Sequence, residues 1–189
     1  MRKPHALVLA LPFCVLVARC ASNSVTGGGG TPTPTPTPTP ACRAGAFASA
    51  VSRSAVLPFV DGVANRNTDI NRALGAPDNS VVSLGSKDCF LVVDLGANGI
   101  SDCPGSADIQ VTETGGVSYK VSVADDPNGP VFTVLGEASG TASFDLTGSS
   151  IACTRFVRID QAGTDTPQNI QAGSPGSDID AVRAIATCR

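Results

Sequence analysis

Residues Cys89 to Ala124 read CFLVVDLGANGISDCPGSADIQVTETGGVSYKVSVA and contain two strands of different kinds. In Ser118–Ala124, Tyr119, Val121 and Val123 share one face, with Lys120 and Ser122 opposite, the period-two pattern of a half-buried strand. Phe90-Leu91-Val92-Val93 has no polar face, so this strand is expected at the centre of a sheet, covered on both sides. Between them, Asn98-Gly99 and Gly115-Gly116 are turn signals.

The same rhythm extends in both directions. Further strands are expected at Val56–Val60, Val81–Leu84, Cys89–Leu95, Ala107–Glu113, Val131–Leu135, Thr141–Leu146, Arg155–Asp160 and Ile179–Ala186. Turn signals recur at Pro127-Asn128-Gly129-Pro130 and Gly148-Ser149. Spacing of about 10 to 15 residues suggests a sandwich rather than alternating βαβ units. Ala44–Ser54, rich in Ala and Ser, is read as a weak helical turn or the start of a strand. From residue 41 to 189 the chain is long enough for a real core, and the expected class is all-β, an antiparallel jelly-roll β-sandwich.

The first forty residues have another character. Arg2 and Lys3 precede an apolar run from Ala6 to Ala18, too short to span a bilayer of ~30 Å and shaped like a secretory signal peptide. Residues 1–20 are therefore expected to be a signal and 21–40 a disordered linker, with the domain at 41–189. The linker has four glycines, Gly27 to Gly30, then five Thr-Pro pairs from Thr31 to Pro40. Such a run is an extended spacer of about 3 Å per residue, roughly 30 Å in all. Val17-Ala18-Arg19-Cys20 resembles a bacterial lipoprotein signal in its first two positions and departs from it at Arg19, so lipidation at Cys20 and free secretion both stay open. The expected location is accordingly a bacterial cell envelope, by a lipid anchor at its outer surface, or the extracellular space.

Composition narrows the chemistry. The sole histidine, His5, lies in the signal, which argues against a Ser-His-Asp triad, a Cys-His dyad and a histidine zinc site. The chain's net charge is −3, but three of its thirteen basic residues and none of its sixteen acids precede Ala21, leaving −6 beyond it. An acidic domain with no basic run is a poor nucleic-acid binder. Asp178 and Asp180, two apart on one strand, lack the cleft that a glycosidase pair needs, so no enzyme is expected. Seven cysteines suggest an oxidising compartment. From strand direction, Cys103 is expected to pair with Cys153 and to leave Cys89 buried and free, with Cys89–Cys153 as the alternative. Phe47, Phe59, Phe90, Phe132, Phe144 and Phe156 fall mostly in strand-like runs and are expected in the core. There is no tryptophan and a single tyrosine.

Several phrases in order resemble the galactose-binding-like jelly roll, in a bacterial cell-surface branch related to discoidin (factor V/VIII type C) domains. They include Ala73-Leu74-Gly75-Ala76-Pro77-Asp78, Phe90-Leu91-Val92-Val93-Asp94-Leu95-Gly96, Asp102 to Glu113, Tyr119 to Ala124, Arg155-Phe156-Val157-Arg158-Ile159 and Gly176 to Val182. The resemblance covers roughly residues 56 to 185. It implies two antiparallel sheets and a monomeric, non-enzymatic binding or adhesion module that meets a carbohydrate or a cell-surface protein through rim loops. The alternative is a structural envelope domain with no ligand beyond calcium. It also implies a disulfide Cys42–Cys188 joining the domain ends, and a structural Ca²⁺ held by Asn67, Asp69, Asp78 and the last-strand Asp180. Asx-turns are the competing use of those loop residues. Asn65, Arg66, Arg72 and Arg158 are the candidate ligand-binding side chains, arginine being suited to planar polar ligands.

Overall fold

A computed structural model describes residues 45–164 and 167–187. Thirteen strands occur among them: β1 (Ala50–Ala55), β2 (Phe59–Val60), β3 (Val63–Ala64), β4 (Val82–Ser83), β5 (Phe90–Asp94), β6 (Ile100–Ser101), β7 (Ile109–Glu113), β8 (Tyr119–Ala124), β9 (Thr133–Ala138), β10 (Ala142–Phe144), β11 (Cys153–Thr154), β12 (Phe156–Gln161) and β13 (Asp178–Ala184). A 3₁₀ turn, Ile70–Ala73, and one short helix, α1 (Pro167–Ala172), complete the described elements.

Two antiparallel sheets carry the fold. One has the order β1-β5-β12-β8-β9, the other β10-β7-β13-β4. Their inner faces meet in one apolar core. Leu91, Val93, Tyr119, Val121, Val123, Val157 and Ile159 come from the first sheet, and Val82, Ile109, Val111, Phe144, Ile179 and Val182 from the second. Tyr119 and Phe144 meet across the layers as an edge-to-face pair at 6.2 Å, a geometry that the ring quadrupoles favour. The chain is thus an antiparallel β-sandwich, as its strand pattern indicates.

The run Phe90–Val93 lies where its lack of a polar face places it. β5 sits between β1 and β12, with Leu91, Val92 and Val93 fully buried. Leu91 and Val93 face the second sheet. Val92 faces outward and sits between Arg53 of β1 and Arg158 of β12 in the register. In β8, Tyr119, Val121 and Val123 enter the core and Lys120 and Ser122 turn away from it.

Of the two readings left open for Ala44–Ser54, the strand is the one formed: Ala50–Ala55 is an edge strand paired along β5, with a register shift between Val51 and Arg53. Two expectations change. Leu57 is 39% exposed and only Phe59–Val60 of Val56–Val60 is strand, paired in a small hairpin with β3. Phe59 itself is 61% exposed, because that hairpin lies outside both main sheets and no layer covers it.

Antiparallel pairing sorts the loops to two ends. Gly45 N donates to Ile185 O, and Ala184 N to Ala46 O, so the first and last described segments lie side by side. The far end gathers the end of β1, the start of β5, the end of β12, the start of β8, the end of β7 and the start of β13. Loops 56–81, 84–89, 114–118, 139–141 and 162–177 meet there.

Cys89 is a buried free thiol, which sets aside Cys89–Cys153. Cys103 and Cys153 are both disulfide-bonded. Cys42 and Cys188, like Cys20, lie outside the described residues.

Candidate functional site

The far end is tied together from inside. Asn65 is 7% exposed; its Nδ2 donates to Leu57 O and Ser83 O, and its Oδ1 accepts from Asn67 N. Asn67 Nδ2 donates to Ser83 Oγ and Ser174 Oγ, and Arg72 Nη1 donates to Asn67 Oδ1 at 3.1 Å. Both serine hydroxyls reach the Asp178 carboxylate. Arg66 binds through its backbone, N–H to Gly173 O at 2.9 Å. Of the candidate ligand-binding residues, Asn65 therefore pins loops together from an interior position. Arg66 and Arg72 share its loop, and Arg158 lies apart from them on the outer face of the five-stranded sheet.

The four residues expected around calcium are spent on other bonds. Asp69 Oδ1 accepts from Asn71 N and caps the 3₁₀ turn. Asp78 Oδ1 closes a turn on Ser80 N. Asp180, 2% exposed, accepts from Asp78 N and Asn79 N at 3.2 Å each. Asn67 Oδ1 takes a guanidinium proton. In these bonds the side chains shape backbone, the use that competes with calcium binding.

Among the described residues, the acids that come together are Asp102, Asp108 and Asp145. Asp108 is buried with Oδ1 on Cys103 N and Oδ2 on Leu146 N, so it ties two loops. Burial pushes its carboxyl up from the usual range against these two N–H bonds. These bonds make Asp108 a turn-shaping residue. Asp178 and Asp180 face no cleft as a pair; each carboxylate is saturated by the donors already named. Glu113, 3% exposed, accepts from Gly116 N, Gly140 N and Asp178 N.

The far end also carries an open pocket of about 300 Å³ lined by residues 60–61, 86–87, 163–164 and 170. Val60 and Ile170 form apolar wall, while Asp61, Ser86, Lys87 and Thr164 supply polar groups. Exposed Phe59 precedes Val60 on the β2–β3 hairpin, whose turn at Asp61-Gly62 holds both residues at positive φ. Sequence reasoning missed this site. The phenylalanine was visible, but its run was read as an interior strand; Pro58 before it and the Asp61-Gly62 turn after Val60 are the local signals that confine the strand to two residues.

Two solved structures are similar in fold. One is chitosan-binding module 1 derived from a chitosanase/glucanase of Paenibacillus sp. IK-5, at 14% identity and TM-score 0.44, covering 69% of this chain and 97% of that one. The other is a selenomethionine-labelled single-substitution mutant of the same module, at 15% identity and TM-score 0.43, covering 74% and 99%. No family model matches the chain, and no curated protein matches it.

Proposed function

We propose that this protein is a non-enzymatic binding module of the discoidin-like kind that meets a glycan at the end of its sandwich remote from Gly45 and Ile185. The observation that carries the reading is the 300 Å³ pocket, which mixes apolar wall with a carboxylate, hydroxyls and an ammonium group, on a hairpin that also exposes the Phe59 ring to solvent. Sugars need that combination: an aromatic face for their C–H groups and a few placed polar partners. The Thr-Pro run from Thr31 to Pro40 would serve as a spacer, with Cys20 as a lipid attachment point in the cell envelope. A cell-surface protein is the other partner class the pocket would serve.

A glycan array on the purified, folded protein tests the reading. Saturable binding to a defined glycan set supports it. A folded protein that binds nothing favours the structural envelope role, to which the internally bonded Asn65, Asn67, Ser83, Ser174 and Asp178 also lend weight. Metabolic labelling with a fatty-acid probe tests the anchor: label present in the wild type and lost in Cys20→Ala supports it, and an unlabelled wild type rejects it.

A further inference from the structure

The outer face of the five-stranded sheet has its own chemistry. The registers align Arg53, Val92, Arg158, Ser122 and Val134 in one row across β1, β5, β12, β8 and β9. The next row holds Phe90, Asp160, Lys120 and Glu137. Between β12, β8 and β9 lies a cleft of about 200 Å³ lined by Lys120, Ser122, Phe132, Val134, Arg158 and Asp160.

Two features mark this cleft as a site. The first is Ser122: it is only 2% exposed and it lines the cleft, so its hydroxyl is a fixed polar group that can donate to or accept from a molecule seated there. The second is Arg158, which is held rigid. Its guanidinium stacks on Phe90 at 4.1 Å, lies 5.6 Å from the Phe132 ring, and grips Asp160 through Nε and Nη2 at 2.6 to 3.0 Å. Rigid, stacked arginines keep their remaining donor oriented. Lys120 has no ion-pair partner among the described residues. Arg53, Lys120 and Arg158 outweigh Asp160 and Glu137 by one charge, on a domain that is otherwise strongly acidic.

We propose that this cleft is a second binding site, separate from the rim pocket, for one carboxylated sugar ring of a glycan chain. Lys120 Nζ and Ser122 Oγ receive the carboxylate, the only ligand charge that this positive island favours. Phe132 and Val134 meet the apolar C–H face of the ring, and Asp160 accepts from its hydroxyls. The volume admits about one ring.

Amide chemical-shift mapping with glucuronate, and with glucose as its uncharged counterpart, tests the proposal. Glucuronate should give saturable shifts confined to residues 120–122, 132–134 and 158–160, with glucose about tenfold weaker. Ser122→Ala and Lys120→Gln, both on the outer face, should each weaken glucuronate about tenfold with the melting midpoint unchanged, and Phe59→Ala should leave the titration as it is. No saturable shift, shifts located elsewhere, equal response to the two sugars, or wild-type affinity in both outer-face variants would overturn it. Because Phe59→Ala leaves this site untouched, its failure and that of the rim reading are read separately.

Discussion

Tyr119 shows how far one side chain can report on the fold. Its ring is fully buried and its hydroxyl donates to Gly140 O at 2.8 Å. Burial, with the nearby Glu113 charge, pushes the phenol up to about 12. It is the only tyrosine and there is no tryptophan, so phenolate absorbance reads this group alone. The native state holds the proton between the ordinary value of about 10 and about 12, while the unfolded chain releases it, so stability falls as pH rises through that window. An absorbance midpoint near 12, coinciding with alkaline unfolding, is expected; a midpoint at the ordinary value in folded protein would mean a wetter interior. Asp94 works at the other extreme. Arg155 grips it through Nε and Nη2 at 2.6 Å each and, with the Gly96 N–H, holds its carboxyl below the usual carboxylate range. Its contribution is present above that usual range and is lost as pH falls through the lowered value. Arg155→Gln should therefore flatten the acid side of a plot of melting midpoint against pH, by a modest amount because the arginine is half exposed.

At the scale of elements, legibility followed periodicity. β5 and β8 were readable because an unbroken apolar run and a strict alternation each have one structural solution. β1 was not, because AVSRSA holds a single large apolar residue and its stability comes from pairing along β5. The two-residue strands β3, β6 and β11 carry too little sequence to show a period. The sheet-face cleft had its parts in view, with Lys120 and Ser122 on the polar side of β8. What joins them to Phe132 and Arg158 is the order β12-β8-β9, and Arg158 is remote from β8 in sequence. Loop packing is equally non-local. Gly176, at φ +84°, sits where a Cβ would strike the Gly85 backbone, because Gly85 N bonds Pro175 O and Leu84 N bonds Ser177 O. Gly176→Ala should cost about 2–4 kcal/mol, from a side chain at positive φ and a forced separation of two loops. Denaturant unfolding checks this, and a loss under ~0.5 kcal/mol would show that the loops can part freely.

For the whole molecule, the core and the proposed function sit at different places. The two inner faces bury nearly all the large apolar side chains, and Leu91→Ala at their centre should cost about 2–5 kcal/mol by denaturant unfolding. The exceptions among the described residues, Leu57, Phe59, Val131 and Val134, are exposed, and Val134 lines the sheet-face cleft. Low aromatic content argues against sugar recognition by ring stacking. It weighs less once one ring of the few is placed at the far end in contact with solvent. Calorimetric titration of the best array glycan into wild-type protein and into the double variant Phe59→Ala, Lys87→Ala tests the rim site most directly. The account predicts saturable binding by the wild type and at least about tenfold weaker binding by the variant, with melting midpoints alike. Full affinity in the folded double variant would contradict it.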